Sequence, residues 1–355
     1  MLRTADNTNP LGGQLRRTPK SALAFAALIA CLIPGLTYAA SSAAAAEPLT
    51  GAGSTLVAPL EAYWGTEFKA LHGVEVTYGA VGSSKGIAAI SGRTVDFGAS
   101  DAPLTSTQAA ECKECVQIPW ALTATGIAFN LGKIEKLRLT PEIVAEIYLG
   151  KITKWNAKPI KKINKGIKLP NLTITAVHRA EGSGDTYAFT DLMSRVNKEW
   201  ASKIGTSTTV EFPGGVAGAG NSGVTAIVEK TEGSIAYIAA SYIYSHGLNA
   251  ARLENKAGRF EYPNLENIQE AAAVVKKVPS NLEMHIVNPP KKAKKAYPLS
   301  TFTYVIVPKD SPVLSTLKEF IQYGLTTGQK FGPALDFAKL PSVILKADEN
   351  ALNSL

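Results

Sequence analysis

Three turns rich in glycine, serine and threonine hold the residues best suited to chemistry: Gly51-Ala52-Gly53-Ser54-Thr55, Gly82-Ser83-Ser84 and Glu181-Gly182-Ser183-Gly184-Asp185-Thr186. Each leads into a segment of helical spacing. Helix N-termini expose unpaired N–H groups at a positive dipole end, and glycine lets a ligand approach the backbone closely. One such turn alone is an ordinary helix cap. Three of them, with Arg179 beside the last, describe a site for one small, multiply charged oxyanion, because the guanidinium supplies a planar fork that suits its oxygens. Two catalytic patterns are missing: the sequence has no G-x-x-x-x-G-K-[ST] phosphate loop and no H-E-x-x-H. Glu142 and Glu146, four apart, read as a solvated helix face.

The elements that position these turns alternate between strand and helix, which predicts an α/β architecture. Leu60, Tyr63, Trp64, Phe68 and Leu71 recur at three- and four-residue steps, so 57–71 reads as an amphipathic helix. Val74, Val76 and Tyr78 alternate as a strand, Ile87 and Ile90 mark a short helix, and 95–98 reads as the next strand. Thr140-Pro141 has the chemistry of a helix start. Leu172, Ile174 and Ala176 form a strand running into Arg179, and Phe189, Leu192, Met193 and Val196 follow at helical spacing. A further glycine-rich turn, 214–223, precedes a helix around 224–228 and a strand around 235–238.

The chain has 355 residues, 45% hydrophobic and 19% charged, enough for two globular cores of about 150 residues each. Its first 46 residues differ from the rest. Arg16, Arg17 and Lys20 precede an uncharged run from Ser21 to Leu36, broken by Pro34-Gly35 and followed by small residues, which is the plan of a secretory signal peptide. The run is too short for a membrane span. Cleavage near Thr37-Tyr38-Ala39 gives a soluble exported protein, whereas Leu28-Ile29-Ala30-Cys31 resembles a lipobox that would anchor Cys31 to a membrane. The Arg16-Arg17 pair is weak evidence for twin-arginine export.

Of 37 basic and 29 acidic residues, four basic and one acidic lie in 1–46, leaving 33 against 28 and a formal charge of +5. Such a surface can concentrate anions or hold nucleic acid, and charge alone does not separate the two. The Lys-rich stretches at 151–168 and 291–295 read as solvated loops, and no aromatic residues interleave with the second as a stacking platform needs. Cys112 and Cys115 suit a local disulfide in an oxidising compartment. A zinc site would need two more ligands, and His72, His178, His246 and His285 are scattered.

At these residues the chain resembles the high-affinity phosphate-binding proteins of phosphate-specific ABC transporters (PstS type), from Leu49 to about Val343. The resemblance is carried by Thr-Gly-Ala-Gly-Ser-Thr at 50–55, Gly-Ser-Ser at 82–84 and Val-Asp-Phe-Gly-Ala-Ser-Asp-Ala-Pro-Leu at 95–104. It also rests on Tyr-Leu-Gly-Lys-Ile at 148–152 with Lys154-Trp155, Arg-Ala-Glu-Gly-Ser-Gly at 179–184, and Gly220-Asn221. It implies that Thr55 and Ser83 donate hydroxyls, Leu56 and Gly184 donate backbone N–H groups, Asp101 accepts a proton from the ligand, and Arg179 and Ser183 complete the cage. Glu181 stands where the family often has an aspartate that orients the arginine. Leu56 replaces an aromatic residue, which matters little if only its N–H makes contact. Asp185 stands where threonine is frequent, so its carboxylate must point away from the anion or take a proton. For Asp101 the competing role is a cap on the helix that begins near Leu104.

The implied fold is a two-lobed α/β periplasmic-binding-protein fold with the ligand cleft between lobes joined by strand crossovers. Lobe I would comprise 47–124 and 303–355 and lobe II 125–302, with crossings near Thr123–Ile127 and Thr301–Val305. The implied protein is a periplasmic monomer that binds inorganic phosphate and serves an ABC permease and ATPase complex in the inner membrane. It has no catalytic residue, cofactor, metal or nucleic-acid partner. Sulfate, molybdate and phosphonates are rival ligands, and a secreted phosphate-handling hydrolase is the alternative class, which would need a metal or an activated nucleophile.

Overall fold

The computed structural model describes residues 47–355. The expected leader, the Arg16-Arg17 pair and Cys31 lie outside the described residues.

The first half of the main sheet comes from β1 (Leu49–Gly53), β2 (Val76–Ala80) and β3 (Phe97–Ser100), with helices α1 (Ala58–His72), α2 (Ser83–Ser91) and α3 (Ser106–Glu111) between and after them. β4 (Cys115–Phe129) then runs for 15 residues, 13 of them buried. After it come β5 (Arg138–Leu139), α4 (Pro141–Tyr148), α5 (Lys158–Ile163), β6 (Thr175–Arg179), α6 (Gly184–Val196) and α7 (Lys198–Lys203). β7 (Val216–Gly218), α8 (Gly220–Lys230), β8 (Ser234–Ala239), α9 (Ala240–Ser245), β9 (Asn249–Ala250), β10 (Arg252–Glu254), β11 (Phe260–Glu261) and α10 (Leu265–Ala272) follow. β12 (Ser300–Pro308), α11 (Leu314–Leu325) and α12 (Ser342–Asn353) close the chain.

The main sheet has the order β2-β1-β3-β12-β4-β8-β6-β7, and β11-β10-β5 form a separate small sheet. Two parallel groups, β2-β1-β3 and β8-β6-β7, are joined through the antiparallel strands β12 and β4. β4 pairs with β12 as far as Ala124 and with β8 from Thr125 onward, so one continuous strand serves both groups. Continuous burial explains its near-unbroken apolar run, where periodicity says nothing about faces. The turn at 214–223 is resolved differently from its sequence reading: β7 occupies 216–218 and α8 already begins at Gly220.

Each group has an aromatic core. Trp64 and Trp120 meet edge to face at 5.5 Å, with Phe97 and Phe320 packed around them. In the other group Phe189 stacks on Tyr237 at 4.4 Å beside Tyr148 and Trp200. Each such buried ring contributes about 1.5–3 kcal/mol through its area. The first core unites chain ends, since Trp64 Nε1 donates to the Gly328 carbonyl at 3.0 Å. Among the described residues no helix is long and apolar enough to cross a membrane.

Candidate anion-binding site

On the first parallel group, β1 and β3 deliver two turns side by side. Ser54 ends the β1 turn, and its Oγ accepts from the N–H groups of Leu56 (3.0 Å) and Val57 (3.4 Å), satisfying the start of α1 in place of a cap residue. The same Oγ donates to the Asp101 carboxylate at 2.6–2.7 Å. Asp101, just past β3, is 2% exposed and also accepts from Thr303 Oγ1 at 2.8 Å. Ser83, the first residue of α2, accepts from the N–H groups of Asp101 (3.3 Å) and Gly184 (3.0 Å).

On the second group, β6 ends in Arg179, whose side chain is buried. Its Nη1 donates to Ser183 Oγ at 2.6 Å and Asp185 Oδ2 at 2.9 Å, and its Nη2 donates to Glu181. Nε has no hydrogen-bond partner among the described residues. Ser183 caps α6 by accepting from the Asp185 N–H. Asp185 is fully buried and accepts from Thr125 Oγ1 at 2.6 Å and Asn221 Nδ2 at 2.8 Å.

Hydrogen bonds tie the two groups across the cleft: Asn221 Nδ2 (2.9 Å) and N–H (3.4 Å) to Thr55 Oγ1, Gly184 N–H to Ser83 Oγ, Ser84 N–H to the Gly182 carbonyl (3.3 Å) and Ser84 Oγ to Thr208 Oγ1 (2.9 Å). Gly82, at φ 97°, makes this approach possible, since a Cβ there would meet the Gly182 carbonyl oxygen at 2.7 Å. A groove of about 490 Å³ opens beside Thr55 and Glu181, with exposed Lys85 on its rim.

Burial pushes the Asp101 carboxyl up to about 7, with the nearby Asp185 charge adding to the rise and the hydroxyls of Ser54 and Thr303 and the guanidinium of Arg179 opposing it. Burial also raises Asp185, against Arg179, Thr125 and Asn221. One guanidinium therefore sits among three carboxyls, those of Asp101, Asp185 and Glu181. An anion entering this cluster is repelled unless it or the carboxyls carry protons. The arrangement can hold a protonated oxyanion, and it supplies hydroxyls and N–H groups rather than an activated nucleophile. No cluster of metal-ligating side chains occurs among the described residues.

A family model described as a PBP superfamily domain matches residues 39–327. The phosphate-binding protein PstS of Xylella fastidiosa (strain Temecula1) is 35% identical over 307 residues, covering 85% of this chain and 84% of that protein. The chain belongs to the PstS family of phosphate-binding proteins. The PstS protein of Methanocaldococcus jannaschii is 34% identical over 323 residues, 82% of each chain. The same fold appears in the crystal structure of a phosphate-binding protein from Stenotrophomonas maltophilia, with a TM-score of 0.65 at 19% identity, covering 84% of this chain and 92% of that one.

Of the residues that the PstS resemblance marks, Thr55, Ser83, Asp101, Arg179, Glu181, Ser183, Gly184 and Asp185 lie in one connected cluster. Leu56 borders it, with its side chain in the core and its N–H donating to Ser54. Asp101 is not a helix cap. α3 begins at Ser106, and its cap is Thr105, whose Oγ1 accepts from the Gln108 N–H at 3.2 Å and whose own N–H donates to Gln108 Oε1 at 3.0 Å. Asp185 does not turn away from the cluster, because Arg179, Asn221 and Thr125 stabilise its carboxylate inside. Cys112 and Cys115 are joined by a disulfide, with the Arg93 guanidinium donating to the Cys112 and Lys113 carbonyls.

Sequence reasoning missed Ser54, Thr125, Asn221 and Thr303. Ser54 and Asn221 sit inside the quoted motifs and were only short of a role. Thr125 and Thr303 carry no local signal, for they arrive from strands 60 and 202 positions away from Asp185 and Asp101.

Proposed function

We propose that this PstS family member binds inorganic phosphate between its two lobes and delivers it to an ABC permease and ATPase complex for import. The observation that carries the reading is the closed cluster of Thr55, Ser83, Ser183, Gly184 and buried Arg179 around an Asp101 carboxyl that titrates near neutrality. Asp101 and Asp185 would accept hydrogen bonds from ligand hydroxyls, Arg179 would bind the ligand oxygens through its fork, and Glu181 would orient Arg179. Phosphate brings protons to this site at neutral pH. Sulfate brings none.

The lobes would be 47–124 with 303–355, and 125–302, a division supported by the change of partner along β4 between Ala124 and Thr125. Export to the periplasm is supported by the leader-like first 46 residues and by the periplasmic character of the family, and the exported protein would act as a monomer. For a five-atom ligand, a ceiling of about 1.5 kcal/mol per heavy atom corresponds to a dissociation constant of roughly micromolar.

Titration calorimetry of the exported protein with phosphate, sulfate and molybdate tests the reading. One tight site for phosphate with no heat from the other two is expected. Equal or tighter sulfate or molybdate binding would replace phosphate as the ligand.

A further inference from the structure

The small sheet places two arginines side by side, neither in an ion pair among the described residues. β10 and β5 pair in parallel with Arg252 directly opposite Arg138, and both side chains are exposed. Like charges directly opposite on neighbouring strands are destabilising. The ion pairs that arginines make among the described residues involve Arg93, Arg179 and Arg195 instead. Glu261 on β11 feels Arg252 electrostatically but accepts from Asn267.

The pair is nonetheless held in place. The Arg138 guanidinium lies 5.4 Å from the Phe260 ring centroid and that of Arg252 lies 4.6 Å from Tyr262. Beneath them, Asn164 fixes the β5 backbone from both sides, accepting from the Arg138 N–H at 2.8 Å and donating to its carbonyl at 2.9 Å. Between these elements is a cavity of about 290 Å³. Lys136, Arg138, Lys165 and Arg252 line it with Leu137, Ile163, Asn164 and Ile167, and no carboxylate faces it.

We propose that this cavity is a second anion site, separate from the cleft, for a phosphate group carrying at least two negative charges in condensed or esterified form. Four basic residues among the lining of a small cavity with an apolar floor suit a compact polyanion, and guanidinium forks can bind phosphate oxygens in two-pronged fashion. Such an anion would also relieve the repulsion between Arg138 and Arg252. Its source is either a soluble oligophosphate or the headgroup of an anionic lipid.

The test uses the exported protein saturated with inorganic phosphate, so that the cleft is filled. Tripolyphosphate is added in calorimetry, and vesicles of phosphatidylcholine with phosphatidic acid are used in sedimentation. One salt-sensitive site is expected for at least one probe, weakened about tenfold or more in R138Q/R252Q, since each charge-assisted hydrogen bond lost corresponds to at least about tenfold. The single loop variant Lys165→Gln should weaken it less, and K291Q/K292Q, elsewhere on the surface, should leave it unchanged. Binding of tripolyphosphate alone assigns the soluble source, and binding of vesicles alone the lipid. Failure of both probes, binding that survives in R138Q/R252Q, or equal loss in K291Q/K292Q would overturn the proposal. Inorganic phosphate affinity, read in parallel, should not change.

Discussion

Gly184 packs so closely on Asp101 that a Cβ built on the glycine would overlap the Asp101 side chain, with Oδ2 only 2.5 Å away. The two residues sit on opposite parallel groups, so the contact spans the cleft. Gly184→Ala should therefore obstruct closure without disturbing either aromatic core. Overpacking of about 1–3 kcal/mol predicts phosphate affinity lower by roughly five- to 150-fold. Solution scattering should show a larger radius of gyration than the parent at the same phosphate concentration. An alanine variant that binds and closes like the parent would mean that the lobes can shift at no cost.

Asp101→Asn separates the two things Asp101 can do to an anion. The carboxylate accepts a hydrogen bond from a protonated oxyanion and repels an unprotonated one, whereas the amide can also donate. Sites built around a ligand hydroxyl reject analogues lacking it by up to about 10⁴ to 10⁵. The variant should keep much of its phosphate affinity and gain measurable sulfate binding in calorimetry. If it folds normally and still excludes sulfate as strongly as the parent, discrimination lies in another residue.

The turns that end β1 and β6 and the one that opens α2 could be read in the sequence because helix starts are local: glycine, serine and threonine announce exposed N–H groups within a few residues. Arg179 was legible for the same reason, as the charged end of an alternating strand. The role of Asp101 depends instead on Thr303, which arrives antiparallel from the far end of the chain, and no local pattern encodes that meeting. The helix near Leu104 removes the competing role for Asp101. Aspartate is a common cap, but the Thr105 and Gln108 pair three residues apart satisfies the helix start without it. Along β4, burial on both faces erased the alternation that would have marked where it changes partner.

Arg179→Lys keeps the charge and loses the fork. Arg179 reaches Ser183, Asp185 and Glu181 with two nitrogens held in one plane, and lysine presents a single ammonium. Phosphate affinity should fall by about tenfold or more, in line with the loss of at least one charge-assisted hydrogen bond. Circular dichroism and the melting temperature in phosphate-free buffer should stay near those of the parent if the effect is on binding. Near-native affinity would remove Arg179 from the ligand cage.

Asp348, on α12 and far in sequence from the cleft turns, is fully buried with neither carboxylate oxygen hydrogen-bonded. Burial pushes its carboxyl from 3.8 up to about 9, with Glu349 adding to the rise. Across that window the folded protein holds a proton that the unfolded chain has released. Stability must then fall as pH rises from 3.8 toward about 9, and the loss is complete only above the upper value. Asp348→Asn replaces the protonated carboxyl with a neutral group of the same shape. The smallest change in melting temperature is expected near pH 4, where the unfolded chain also still holds part of this proton, and the difference should grow from there. At pH 9 the variant should melt higher than the parent by on the order of 3 °C or more, about the shift that 1 kcal/mol produces in a large domain. Asp101, Asp185 and Glu61 also rise on burial and give the parent a slope of the same sign, so the measured quantity is the difference between the two melting curves against pH. A difference that stays flat from pH 5 to 9 would show that Asp348 is ionised and solvated in the folded protein.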